Sequence, residues 1–125
     1  MSLGDKTPKP RMWDEEESKV NRHRSQRQER RVAKEVRGTV TPNSGATPFG
    51  SKKGDVQTEG LLIEAKLTNK DRFTVTESLI RKVNREAYKA GKKPCMVVTL
   101  EALPNHVEKD WVLMPLSVLK EIMED

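Results

Sequence analysis

Gly54–Lys66 reads GDVQTEGLLIEAK, and the placement of its charged groups decides the fold and chemistry expected of this chain. Leu61–Ile63 is an unbroken apolar run that flows into Glu64-Ala65-Lys66. Successive side chains of a strand point to opposite faces. Glu64 and Lys66 therefore share one face and Ala65 takes the other. Glu59-Gly60 is a tight-turn pair, so Asp55–Thr58 and Leu61–Leu67 read as the two arms of a hairpin. Asp55 can then present its carboxylate on the Glu64 side. A one-residue slip in register would send it to the other face. Two carboxylates and an ammonium on one sheet face are costly to bury alone. They suit a divalent metal held beside a phosphate.

The elements around this hairpin follow from their own signals. Asp14–Arg37 reads as a helix, with Asp14 as N-cap, Glu15–Glu17 in the first turn and Gly38 as the stop. Its apolar content is thin: Val20, then Val32, Ala33 and Val36. Only its last turns can pack on a core, which leaves the first half for solvent, a second subunit or DNA. Thr39–Thr41 is a short strand, and the remainder of Gly38–Lys53 (GTVTPNSGATPFGSKK) is a loop. Thr74–Ala90 is a helix with Thr74 and Glu77 at capping-box spacing. It carries an inward stripe of Val75, Leu79, Ile80, Val83, Ala87 and Ala90, and ends at Gly91. Pro94–Leu100 reads as a buried strand, Trp111–Met114 as another with Trp111 in the core, and Pro115–Met123 as a helix with Leu119, Ile122 and Met123 inward. Leu61–Ile63 implies a strand covered on both faces. The order α-β-β-β-α-β-β-α, with a helix between two strand regions, implies a crossover and a mixed sheet.

Composition narrows the function. The chain has 125 residues, enough for one domain. Hydrophobic and charged residues each make up 34%, so the core is modest and much of the chain is solvated. Residues 1–13 read as a disordered lead, rich in Pro, Gly and Lys. The net charge of +5 favours a polyanionic partner, nucleic acid before membrane. No apolar run approaches the roughly 20 residues of a membrane span, and the first residues lack a signal-peptide core. The one cysteine, Cys95, lies in an apolar strand and is expected to be a buried structural thiol in a reducing, intracellular setting. His23 and His106 have no Cys/His partner set, so zinc is not expected.

An acidic residue followed by E-x-K on the next strand, in this element order, resembles the PD-(D/E)XK nuclease superfamily. Gly54 stands where that motif's proline would be. Gln28-Glu29-Arg30-Arg31, Asn43-Ser44-Gly45-Ala46, Gly54-Asp55 and the Thr76–Pro94 segment together resemble archaeal- and phage-type Holliday junction resolvases. The resemblance implies a restriction-endonuclease-like α/β fold, a mixed sheet flanked by helices, with residues 14–125 as one nuclease domain. It implies the Ala65 carbonyl as a third metal ligand. It also favours Glu29 over Glu35 as a helix-borne catalytic carboxylate, and a host-cytoplasmic setting if the source is a phage.

The residues themselves supply chemistry. Asp55 and Glu64 offer hard oxygen ligands suited to Mg²⁺, with Mn²⁺ as a substitute. Such a metal acidifies a bound water and polarises the phosphoryl group. Lys66 can stabilise the charge that develops there. Arg22, Arg24, Arg27, Arg30 and Arg31 on the first helix, with Ser44, Lys52 and Lys53, are the candidate phosphate contacts. Such contacts position a substrate without reading bases. The expected activity is metal-dependent, structure-selective cleavage of branched DNA at four-way junctions. Two symmetric cuts require paired sites, hence a homodimer. The alternatives are a nuclease of the same superfamily acting on flaps, nicks or duplex, a DNA-binding protein of that fold without catalysis, and a structural basic protein. Taken singly, Asp55 is a turn residue, E-x-K a solvated strand face and Glu29 a partner for neighbouring arginines; their co-occurrence carries the nuclease reading.

Overall fold

The computed structural model describes residues 12–41 and 55–124, with side chains from Arg22 onward. The lead before Met12 and the loop holding Ser44, Lys52 and Lys53 lie outside the described residues. The elements are α1 (Met12–Val36), β1 (Thr39–Val40), β2 (Val56–Gln57), β3 (Leu61–Thr68), α2 (Glu77–Ala90), β4 (Lys93–Leu100), β5 (Asp110–Leu113) and α3 (Leu116–Glu124). The strands form one mixed sheet in the order β1-β2-β3-β4-β5. The β3–β4 pair is parallel and the other three pairs are antiparallel. The α2 crossover joins the parallel pair, as that connection requires.

β3 is the axis of the sheet, and both its faces are covered. Leu62 and Ile63 are adjacent yet only 2% and 1% exposed, which alternate-face geometry allows only when each face has its own layer. On one face Val32 and Ala33 of α1 pack with Val56, Ile63, Cys95 and Val97. On the other, Val83 of α2 packs with Met96 and Val98, flanked by Phe73, Leu79 and Leu100. Burial pushes the Cys95 thiol up to about 11, so it stays protonated at neutral pH.

The α1 terminus departs from expectation. Arg37, not Gly38, takes the left-handed conformation (φ 58°). Its amide donates to Lys34 O at 3.3 Å and the Gly38 amide to Ala33 O at 2.8 Å, the Schellman pattern. Gly38 serves a different need: a Cβ there would lie 2.4 Å from the Gln57 carbonyl oxygen, so only glycine lets α1 turn directly onto β2.

α2 begins two residues later than the Thr74 capping box predicts. Thr76 is the N-cap, its Oγ1 accepting from Leu79 N at 3.1 Å. Phe73 is packed against the α2-side core, which holds the chain before Thr76 extended. Val75 and Ile80 consequently stay about two-fifths exposed, and Val83 and Ala87 are the buried positions. The helix ends at Gly91 as expected, with φ 68°.

The C-terminal third also differs. Trp111, expected in the core, is 55% exposed, and its indole N–H donates to Glu108 O at 2.8 Å. It pairs across from Val98 on the α2 side, but α2 covers β3 and β4 and leaves the edge strand bare. In α3 the buried residue is Val118, while Leu119, Ile122 and Met123 are exposed. The helix opens with the Val118 amide on Pro115 O at 3.0 Å. No described helix is long and apolar enough to cross a membrane.

Candidate active site

The β2–β3 register pairs Val56 with Ile63 and Gln57 with Leu62. Asp55 stands just before β2. Its amide donates at 3.0 Å to Ile63 O, on the residue that pairs with Val56, and its carbonyl accepts from Thr41 N at 3.0 Å, so the regular alternation of β2 does not run through Asp55. Asp55 Oδ2 accepts from the Ala65 amide at 2.8 Å. The backbone groups of Ile63 and Ala65 point to the same edge of β3, so the Ala65 carbonyl is directed toward the Asp55 end of β2.

Glu64 is 2% exposed. Taking a carboxylate out of water costs several kcal/mol unless opposite charge and hydrogen bonds offset it. Two lysines supply that charge: Lys66 Nζ lies 3.2 Å and Lys82 Nζ 3.3 Å from Glu64 Oε1. Both lysine side chains are about one-third exposed, so their apolar stems line the strand and helix while the ammoniums sit at the mouth. Lys82 reaches Glu64 because it adjoins Val83 on the buried edge of α2. Its place beside the apolar stripe is visible in the sequence, but which border of the stripe faces β3 is not. Nearby, Thr76, Glu77, Ser78, Arg81, Lys82 and Arg85 line an open basic cleft at the start of α2.

The donor set can be tested for a divalent metal. Among the described residues no group of three or more His, Cys, Asp or Glu side chains converges. Two buried carboxylates, one of them bonded to the Ala65 peptide that follows the other, do offer the hard oxygen donors suited to a cation that keeps several waters. Glu29 does not join them. It is half-buried on α1, one turn before Ala33, on the helix covering the opposite face.

On that opposite face α1 is held by a polar seam that the sequence reading missed. Arg24 pairs with Glu101. Gln28, buried to 4%, donates from Nε2 to Lys66 O and to Thr99 Oγ1, each at 2.7 Å. Thr99 donates to Asp110 Oδ1 at 2.6 Å, and Arg31 grips both Asp110 oxygens. The Arg31 hydrogen bond holds the Asp110 carboxyl below the usual carboxylate range, with the Thr99 hydroxyl adding to it against the opposing effect of burial. The spacing 24, 28, 31 places all three on one face of the helix. Arg24 and Arg31, expected on phosphates, are thus engaged within the chain, whereas Arg22, Arg27 and Arg30 are exposed.

No protein-family model matches the chain, and no curated protein matches it.

Proposed function

We propose that this protein is a metal-dependent, structure-selective DNA endonuclease of restriction-endonuclease-like PD-(D/E)XK architecture, and specifically a resolvase of four-way junctions. The observation that carries the reading is the Asp55 carboxylate on the Ala65 amide, between Glu64 and Lys66, with the Lys66 ammonium on the buried Glu64. Asp55, Glu64 and the Ala65 carbonyl would hold Mg²⁺ or Mn²⁺. When bound, that ion supplies Lewis acidity and a more acidic water. The chain's own contribution is positional and electrostatic. Asp55 fixes the Ala65 peptide, and Lys66 and Lys82 place two positive charges where phosphoryl oxygens would lie. Arg22, Arg27 and Arg30, with Lys52, Lys53 and Ser44, would hold the DNA backbone. Two symmetric cuts call for a homodimer.

One observation favours a second reading. Two lysines already neutralise Glu64, a state in which a DNA-binding protein without catalysis would be stable.

Incubation with Mg²⁺ and equal amounts of labelled four-way junction, flap and linear duplex separates the readings. Symmetric nicks confined to the junction, lost in Asp55→Ala and Lys66→Ala, are expected. Cleavage of flaps alone would reassign the substrate. Binding without cleavage under any divalent metal would establish the second reading. Unchanged activity in both variants would remove the site.

A further inference from the structure

The seam on the α1 face reaches the backbone of the candidate catalytic lysine. Gln28 Nε2 has two protons, and their destinations are set by chemistry. A carbonyl can only accept, so Lys66 O takes one. The Thr99 hydroxyl directs its single proton to Asp110, so its oxygen accepts the other. Arg31 then closes the chain on Asp110 from the same helix, three residues past Gln28. The donor sense runs from Gln28 to Thr99 to Asp110, with Arg31 donating back, and no alternative orientation of the amide satisfies it.

The Lys66 carbonyl is also part of the sheet. Lys93 N on Gly60 O and Glu101 N on Thr68 O set the ladder period, which places Thr99 N on Lys66 O. Gln28 therefore adds a second donor to a carbonyl the sheet already satisfies. Packing alone does not require it: Val32, one turn on, shows that this helix face accepts an apolar side chain. A buried, fully satisfied polar chain fixes geometry where an apolar contact would slide. The peptide it grips joins Lys66 to Leu67, and the Lys66 side chain leaves that backbone for the opposite face, toward Glu64.

We propose that Gln28 is a positioning residue for Lys66, acting through the sheet from the face opposite the site, with Thr99, Asp110 and Arg31 locking its amide. The inference rests on the nuclease reading above and adds a residue to it. The test compares Gln28→Met, Thr99→Val and a core control, Val118→Ala, on labelled four-way junction in Mg²⁺. Thermal unfolding and the Lys66 ¹³C′ and Leu67 ¹⁵N chemical shifts are recorded alongside. Gln28→Met is expected to lower kcat by about 10- to 100-fold, leave KM within about twofold and move both shifts. Val118→Ala, destabilised without touching the seam, is expected to keep its kcat. Thr99→Val, which leaves Gln28 on Lys66 but unlocks it, gives a smaller fall in kcat and carries the test if Gln28→Met does not fold. An active wild type with kcat unchanged in Gln28→Met and Thr99→Val, or lowered only in step with Val118→Ala, overturns the inference while sparing the nuclease reading. An inactive wild type removes both.

Discussion

The two faces of β3 treat charge in opposite ways. On the α1 face, Arg24, Gln28 and Arg31 meet Glu101, the Lys66 carbonyl, Thr99 and Asp110 in a connected set of hydrogen bonds and ion pairs in which each donor has an acceptor. On the α2 face, one deeply buried carboxylate draws two lysines, each about one-third exposed, onto the same oxygen, and the Asp55 carboxylate bonds the Ala65 amide next to it. The first arrangement is complete in itself and docks a helix that has too few apolar residues to dock by packing alone. The second concentrates charge at a mouth open to solvent, where the lysines can turn toward a phosphate without unfolding anything. In the proposed function, similar residue types would serve attachment on one side and reactivity on the other.

That contrast predicts a separation of effects. The largest belongs to the α2 face. Glu64→Gln keeps the side-chain shape and removes the charge, and is expected to lower junction cleavage by at least about 100-fold. Its lysine partners can reach water, so its stability should stay within about 1 kcal/mol of wild type. Cleavage rate and chemical denaturation of the same preparation check both halves. A large loss of stability with retained activity would reverse the roles assigned to the faces.

On the α1 face the expected effect is smaller and falls on stability. Asp110→Asn weakens the grip of Arg31, a partly exposed pair, and should cost about 1 kcal/mol at neutral pH. The pH dependence has a definite sign. The folded protein holds Asp110 below the usual carboxylate value of about 4, so the unfolded chain takes up the proton first on acidification. This contribution is present above the unfolded pKa and is lost as pH falls through the folded one. Wild type should lose its advantage over Asp110→Asn in that acid range, as read from denaturation midpoints across pH. A gap that widens on acidification would contradict the assignment.

The pairing of Glu64 with Lys66 was legible in the sequence, because strand alternation places them together whatever the rest of the fold does, whereas the strand expected to begin at Asp55 begins at Val56. Lys82 was not legible as a site residue: it borders the apolar stripe, and which border faces β3 depends on how α2 lies on the sheet. The α1 seam was hidden for a related reason. Gln28 carries no periodic apolar signal, and its partners Thr99 and Asp110 are 71 residues and more away along the chain. Trp111 and the α3 stripe misled because residue type reports the desire to be buried, whereas exposure at an edge strand depends on which elements cover it. Gln28 also qualifies the division between the faces, since it belongs to the attachment seam and grips the backbone of Lys66.

The contrast between the faces is tested most directly by paramagnetic broadening with substoichiometric Mn²⁺ in ¹⁵N-labelled protein. Two carboxylates flanking a directed carbonyl predict that the amide signals of Asp55, Glu64 and Ala65 broaden first, and that Glu64→Gln abolishes the effect. Broadening centred on Glu101 and Asp110, or none at all, would contradict the assignment of reactivity to the α2 face.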